Sequence, residues 1–198
     1  MKTTKKALLL ALCAVLLIVS TVFATMAYLT YTTQAVKNTF TFGNVKITLD
    51  EAKVNEYGVK DGDTRVTANT YKLMPGHTYV KDPTIHVDAN SEACWLFVKL
   101  ENGLKDIIAS ENIEKQMQDY GWTPIDSTNN IWAYNKVVAA GKHINVFDEF
   151  TLTDNAVVSN YGDATIIVTA YAVQADGFNT AADAWNAAPS DWTLDATN

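Results

Sequence analysis

Short β-prone segments separated by turn residues recur along most of this 198-residue chain. Apolar and polar side chains alternate in several of these segments, which is typical of half-buried strands, whereas Thr165–Val173 is almost wholly apolar and is expected at the centre of a sheet. No regular alternation of strands with helices indicates a parallel sheet. The pattern predicts a mainly β, antiparallel β-sandwich. The predicted strands are Asn38–Leu49, Val66–Leu73, Thr84–Asp88, Cys94–Leu100, Ile131–Val138, Phe147–Leu152 and Thr165–Gln174.

Two helices and one long loop interrupt this pattern. Ser110–Tyr120 carries one narrow apolar stripe and predicts a single inserted helix. Ala181–Ala187 predicts a short C-terminal helix, because Thr180 and Asp183 have the spacing of a capping box. Asp50–Arg65 is charged and contains two glycines, so it is expected to be a loop or an irregular hairpin tip.

The first 27 residues have the layout of a secretory signal. Three lysines precede the apolar run Ala7–Ala24, and small residues follow at Ala24 and Ala27, which predicts cleavage between Ala27 and Tyr28 or after Ala24. The alternative is an uncleaved membrane anchor, since about 18 apolar residues can just span a bilayer. The predicted organisation is therefore a signal at 1–27, a β-prone arm at 28–37 and a sandwich domain at 38–198.

Charge and cysteine content restrict the function further. Without residues 1–27, the chain has 171 residues with 12 basic and 22 acidic side chains, a net charge of −10. An acidic domain is a poor partner for nucleic acid and for anionic membranes, so contact with a membrane is expected only through the uncleaved signal. Cys94 alone remains, so no intramolecular disulfide can form, and its apolar strand predicts a buried structural thiol. We expect an exported protein that is stabilised by its core.

Catalytic and metal-binding motifs are scarce. The chain has neither an HExxH pair nor a glycine-rich phosphate loop, so no catalytic residue and no cofactor is predicted. The weak candidates for a metal site are His77, His86, Asp88 and His143, because His86 and Asp88 lie on one face of a strand. Acidic pairs such as Asp50-Glu51 could bind calcium, although acidic turns are usually just solvated.

A resemblance to a known family rests on segments spread along the chain. They are Ala27–Thr30, Asn38–Leu49, Leu73–Val87, Cys94–Lys99 and Ala172–Phe178 with Ala184-Trp185. Together they resemble the TasA/camelysin family of exported Gram-positive proteins, whose signals are cut by a SipW-type signal peptidase. Two departures are plain: Tyr31 stands where the family often has Asp, and no zinc motif accompanies the resemblance to camelysin.

The resemblance implies a jelly-roll β-sandwich that self-associates into extracellular biofilm-matrix fibres. In such fibres the N-terminal segment of one subunit adds a strand to the next. The N-terminal segment here has nine uncharged residues and would leave unpaired backbone groups if it were free. The predicted donor residues are Tyr28, Leu29, Thr30, Tyr31, Thr32, Thr33, Gln34, Ala35 and Val36.

Two other functions stay open at this point. One is a camelysin-like metallo-endopeptidase that uses His77 and His86 with Asp88 or His143. The other is a non-polymerising, surface-held binding or accessory matrix protein, with the aromatic side chains of Trp95 and Phe97 as its contact surface.

Overall fold

A computed structural model describes residues 44–109 and 112–189 of the chain. The signal, the N-terminal arm and the first part of the predicted strand Asn38–Leu49 lie outside these residues. The described part is mainly β, with ten strands, two α-helices and one short 3-10 helix. In chain order the strands are β1 (Ile47–Val54), β2 (Lys60–Val66), β3 (Thr78–Val80), β4 (Thr84–Val87), β5 (Cys94–Asn102), β6 (Trp122–Asp126), β7 (Ile131–Tyr134), β8 (His143–Asn145), β9 (Glu149–Thr151) and β10 (Ile166–Gln174). The helices are α1 (Asn112–Asp119), α2 (Ala181–Asn186) and the 3-10 turn Val158–Asn160.

The strands form two four-stranded sheets and one small ribbon, and all their pairings are antiparallel. The first sheet has the order β2-β1-β4-β8, the second has the order β10-β5-β7-β6, and β3 pairs with β9. The inner faces of both sheets contribute to one hydrophobic core. Because every strand sends alternate side chains inward, the two sheets bury their apolar faces against each other. The predicted antiparallel β-sandwich, with an inserted helix and a short C-terminal helix, is confirmed.

Strand β5 is covered on both faces. Leu96, Val98 and Leu100 enter the main core, while Trp95 and Phe97 belong to a second apolar cluster on the opposite face. Helix α2 covers this second cluster: Ala184 is fully buried there, and the ring of Trp185 lies 5.0 Å from that of Phe97. Trp95 and Phe97 are therefore buried and are unavailable as the contact surface of a binding module.

The N-cap half of the capping box predicted for α2 is present. The side chain of Thr180 accepts a hydrogen bond from the Asp183 backbone N–H at 3.1 Å, which satisfies one of the groups that the first turn of a helix leaves without an intrahelical partner. The Thr180 hydroxyl also donates to the Asp183 carboxylate at 2.7 Å. The cap therefore positions the helix that closes the outer face of the second sheet.

The segment Asp50–Arg65 is an irregular hairpin, one of the two structures expected for it: β1 and β2 pair antiparallel with a register shift between Ala52 and Val54. Most of its residues are strand and not loop, because they complete β1 and form β2, an edge strand on which charged side chains remain in water. The strand predicted over Val66–Leu73 was wrong. Val66–Leu73 leaves the sheet after Val66. There the Asn69 side chain accepts from the Val54 N–H at 3.0 Å and donates to the Ala52 carbonyl at 2.9 Å, so one amide replaces a strand partner.

Three short strands, β3, β6 and β8, were not predicted. Strand β6 contains Pro124 and occupies the free edge of the second sheet, where a missing N–H is tolerated. Strands β3 and β8 have only three residues each, which is too short for an alternating pattern.

Candidate functional site

A groove opens along the side of the sandwich where β1 and β10 lie. Its volume is about 770 Å³, and both sheets and the connecting loops line it. Apolar and polar side chains both line it, and the charged ones are Asp50, Glu51, Lys81 and Asp163. The apolar side chains include Leu49, Tyr71, Leu73, Leu104, Phe150, Val158, Ile166, Ile167 and Val168.

Strand β10 forms one margin of this groove and is an edge strand. Among the described residues it pairs only with β5, along its whole nine-residue length. In an antiparallel strand about half of the backbone N–H and C=O groups point away from a given neighbour, and no second strand of the described residues lies on that side of β10. Natural edge strands usually carry charges that discourage strand addition, but β10 has none and exposes 47% of Ile167.

A buried ion pair lies on the opposite wall of the groove. Lys81 Nζ is 2.6 Å from Glu51 Oε2, and the two side chains are only 11% and 7% exposed. The Asn69 side chain donates to the other carboxylate oxygen of Glu51 at 2.9 Å. Burial and the nearby charge of Glu51 raise the pKa of the Tyr71 hydroxyl, which donates to the Val80 carbonyl at 3.1 Å. The groove therefore combines apolar side chains, fixed polar groups and a strand that is last in its sheet among the described residues.

The predicted donor segment Tyr28–Val36 and the predicted cleavage site at Ala27 and Tyr28 lie outside the described residues. They remain predictions.

Two of the candidate metal ligands, His86 and His143, lie side by side on the outer face of the first sheet. They are directly opposite each other on β4 and β8, and their Nδ1 atoms are 2.6 Å apart. The Nε2 atom of His86 lies 2.8 Å from Asp50 Oδ1 on β1, so a row of three side chains crosses three strands. We call Asp50, His86 and His143 the histidine row.

Arg65 on β2 holds the carboxylate end of the histidine row. Its Nε atom donates to Asp50 Oδ1, and its Nη2 atom donates to the Asp82 carbonyl at 3.0 Å and to Thr84 Oγ1 at 2.8 Å. Burial raises the pKa of the Asp50 carboxyl, but the hydrogen bonds and charges of Arg65 and His86 outweigh this effect, and the net pKa lies below the usual value. Asp50 is therefore an ionised acceptor at neutral pH.

The other two candidates have different partners. His77 Nε2 lies 2.9 Å from the Tyr57 carbonyl oxygen, and Asp88 pairs with Lys46 at 3.4 Å and accepts from the Asn90 N–H at 2.8 Å. Within residues 44–109 and 112–189, no group of three or more His, Cys, Asp or Glu side chains is placed to share a metal ion. The predicted ligand set of His77, His86 and Asp88 is therefore not assembled in the described structure.

Asp50 was predicted only as half of an acidic pair with Glu51. Consecutive residues of a strand point to opposite faces, so Asp50 joins the histidine row outside while Glu51 turns inward to Lys81. Once Asp50 is assigned to β1, its alternation with Leu49 could have placed it on the outer face. The strand was not predicted there, because the charged composition of residues 50–65 is more typical of a loop.

Cys94 is a buried structural thiol, as predicted. Its side chain is fully buried in the main core, and burial raises the pKa of the thiol to about 11. A thiol that stays protonated at neutral pH is a poor nucleophile.

Comparison with known proteins returned no match to a protein-family model, a curated protein or a solved structure. The described residues also contain no helix of the length and apolar character that crossing a bilayer requires. The class that the structure defines is an antiparallel β-sandwich with a groove of mixed apolar and polar lining beside one sheet edge.

Proposed function

We propose that this chain is a secreted structural subunit of extracellular biofilm-matrix fibres. In this proposal a SipW-type signal peptidase removes the N-terminal signal, and the released arm Tyr28–Val36 of one subunit adds a strand to β10 of the next. The observation that carries the proposal is the partly apolar groove beside β10, an uncharged strand that pairs with β5 alone among the described residues. Backbone pairing along such an edge gives affinity, and the pockets beside it select side chains.

The arm and the groove match in length and in chemistry. The arm has nine residues and β10 also has nine, so an extended arm of about 30 Å could pair along the whole edge. Alternation in the arm places Leu29, Tyr31 and Ala35 on one face. This face would fill the apolar groove, and the other face would remain in solvent.

Strand donation of this kind is open-ended. The donor is one segment of the chain and the acceptor is another, so each added subunit presents a fresh acceptor edge. A heterologous contact that does not close into a ring produces a filament. While the signal holds the arm at the membrane, the donor is unavailable, so cleavage would permit assembly outside the cell.

The test uses two variants that each disable one half of the contact. Leu29→Asp with Tyr31→Asp disables the donor, and Ile167→Lys places a charge on the acceptor edge at an exposed side chain. Val59→Lys is the matched control, because it replaces an exposed aliphatic side chain outside the groove. All are made in the chain that begins at Tyr28 and are examined by electron microscopy and size-exclusion chromatography.

We expect filaments from the wild-type chain and from the Val59→Lys variant, and only monomers from each disabled variant alone. A mixture of the donor-disabled and acceptor-disabled variants should form a one-to-one dimer, because it contains one intact donor and one intact acceptor. Monomeric wild-type protein would refute the structural role. Filaments from the Ile167→Lys variant would refute β10 as the acceptor edge, provided that its unfolding midpoint equals that of the control.

A further inference from the structure

Three side chains on the wall of the groove opposite β10 meet at one carboxylate. Lys81 Nζ lies 2.6 Å from Oε2 of Glu51, and the Asn69 amide donates to Oε1 of Glu51 at 2.9 Å. Because both oxygens belong to one carboxylate, the amine and the amide are neighbours across it. They come from separate segments of the chain, since Asn69 follows β2 and Lys81 lies between β3 and β4. The fold therefore brings an amine to the side of an amide group.

The Asn69 amide is held in one orientation. Its Oδ1 atom accepts from the Val54 N–H at 3.0 Å, and its Nδ2 atom also donates to the Ala52 carbonyl at 2.9 Å. A hydrogen bond to the carbonyl oxygen stabilises negative charge that develops there when a nucleophile attacks the amide carbon. The side chains of Lys81 and Glu51 are only 11% and 7% exposed, so water competes weakly for this site. An amine, a polarised amide and a carboxylate in contact with both are the groups that an amide exchange requires.

We propose that Lys81 and Asn69 join in an intramolecular isopeptide bond, with Glu51 as the proton carrier and with release of one ammonia. Glu51 takes a proton from the Lys81 ammonium, and the lone pair of the resulting amine forms a bond to Asn69 Cγ. The carbonyl electron pair moves onto Oδ1, where the Val54 N–H stabilises it. Glu51 then gives its proton to Nδ2 and takes one from the attacking nitrogen. The bond between Cγ and Nδ2 breaks as the carbonyl re-forms, and ammonia leaves.

This step balances without an oxidant or another reactant. An ammonium, a carboxylate and a primary amide become a secondary amide, a carboxylic acid and ammonia. No atom changes its oxidation state, and the net charge is zero before and after the reaction. The acid proton of Glu51 can then pass to the ammonia as it leaves through the groove, which Asn69, Glu51 and Lys81 all line.

A movement of the Lys81 side chain begins the reaction. The amine must leave Oε2 of Glu51 and come within about 3–3.5 Å of the amide carbon, and the flexible stem of a lysine permits this. In the ion pair the amine carries its extra proton and is not a nucleophile. The bond is therefore expected to accumulate slowly after folding. Freshly produced chain contains the ion pair that the structure shows, and aged chain contains the amide.

The bond would brace the wall of the groove covalently. It closes a loop over residues 69–81, which contains β3 and the groove-lining side chains of Tyr71 and Leu73. A cross-link of this kind restricts the unfolded chain, as a disulfide does. Cys94 is the only cysteine after the predicted signal, so no disulfide within the domain can do this. The bond forms within one subunit and does not depend on the proposed strand donation.

The test measures the intact mass of protein produced from the full-length chain, both freshly purified and after incubation for weeks at neutral pH. Loss of ammonia lowers the mass by about 17 Da. Trypsin locates the bond, because a modified Lys81 is not cleaved and Val66–Lys72 stays joined to Leu73–Lys99. This branched peptide distinguishes the bond from a succinimide at Asn102-Gly103, which also loses ammonia.

Three variants each remove one part of the site. Lys81→Arg keeps a cation beside Glu51 but removes the nucleophilic amine, Asn69→Ala removes the amide carbon, and Glu51→Gln removes the proton carrier. Lys115→Arg is the matched control, because it makes the same replacement at a lysine that is 59% exposed and lies outside the groove. Circular dichroism of each variant separates loss of the reaction from loss of the fold.

We expect the wild-type chain and the Lys115→Arg variant to lose ammonia and to give the branched peptide. Lys81→Arg and Asn69→Ala should give no branched peptide, and Glu51→Gln should react at least about a hundredfold more slowly. Separate peptides from aged wild-type chain would overturn the proposal, as would a loss of ammonia that maps to Asn102-Gly103 alone. Formation of the branched peptide at the wild-type rate in the Glu51→Gln variant would overturn the assignment of Glu51 as the proton carrier.

Discussion

Replacing Glu51 or Lys81 tests whether water is excluded from the wall of the groove on which this ion pair lies. Their charged groups are 2.6 Å apart, and their side chains are only 7% and 11% exposed. Replacing one member leaves the other charge buried without its counter-ion, which typically costs about 3–5 kcal/mol. We expect Glu51→Gln to lower the free energy of unfolding by about 3 kcal/mol, at the lower end of that range, because the groove admits some water.

The double replacement Glu51→Leu with Lys81→Met should behave differently. It removes both charges and keeps similar volumes, so its stability should lie within about 1 kcal/mol of wild type or above it. The Asn69 amide loses its bond to Glu51 but keeps its bond to the Ala52 carbonyl at 2.9 Å. If the double variant is more stable than wild type while Glu51→Gln is less stable, the desolvation of the two charges costs more free energy than their attraction returns.

Urea unfolding followed by tryptophan fluorescence measures these differences. The exposed pair Lys115–Asp119 is the control: its side chains are 59% and 65% exposed, and Lys115→Ala should cost at most about 0.5 kcal/mol. If Glu51→Gln lowers the free energy of unfolding by no more than Lys115→Ala does, water solvates the ion pair of Glu51 and Lys81. Water is then not excluded from this wall of the groove.

Three further outcomes follow from the described contacts. Thr180→Ala should cost about 1 kcal/mol through loss of the α2 cap, measured by urea unfolding, and an unchanged midpoint would contradict the cap's role. Cys94 should resist a thiol reagent at pH 8 in the native protein and react on unfolding, because burial raises its pKa to about 11; rapid native labelling would contradict this. Burial raises the pKa of Asp50, but Arg65 and His86 lower it below 3.8 on balance. The ionised carboxylate should therefore stabilise the fold fully above pH 3.8, and this contribution should be lost as the pH falls through the lowered pKa. The stability difference between wild type and Asp50→Asn should therefore shrink from pH 6 to pH 2, and a constant difference in urea unfolding would refute the assignment.

Local patterns were sufficient wherever the physical cause is local. The N-cap bond between Thr180 and Asp183 depends on residues three positions apart, and the structure contains it. The apolar run Thr165–Gln174 predicted a central strand, but β10 is at the edge of its sheet among the described residues. The composition of a strand indicates how apolar its surroundings are. It does not indicate whether those surroundings are another strand, a loop or a groove.

The histidine row shows the limit of the sequence more clearly. His86 and His143 are 57 positions apart, and Asp50 is 36 positions from His86, so no spacing rule connects them. The register of three antiparallel strands brings them together. The same register separates Asp50 from Glu51, adjacent residues that point to opposite faces of β1.

The sequence by itself determined the mainly β character, the turns, the two helices and the buried state of Cys94, because alternation, turn chemistry and hydrophobicity act between neighbouring residues. Only the tertiary structure decided that β10 comes last in its sheet among the described strands, that α2 covers Trp95 and Phe97, and that the histidine row forms. These features depend on which strands pair and in what register. Segments that are distant in sequence compete to pair with the same backbone groups. Which strands pair, and in what register, is fixed only when the two sheets pack.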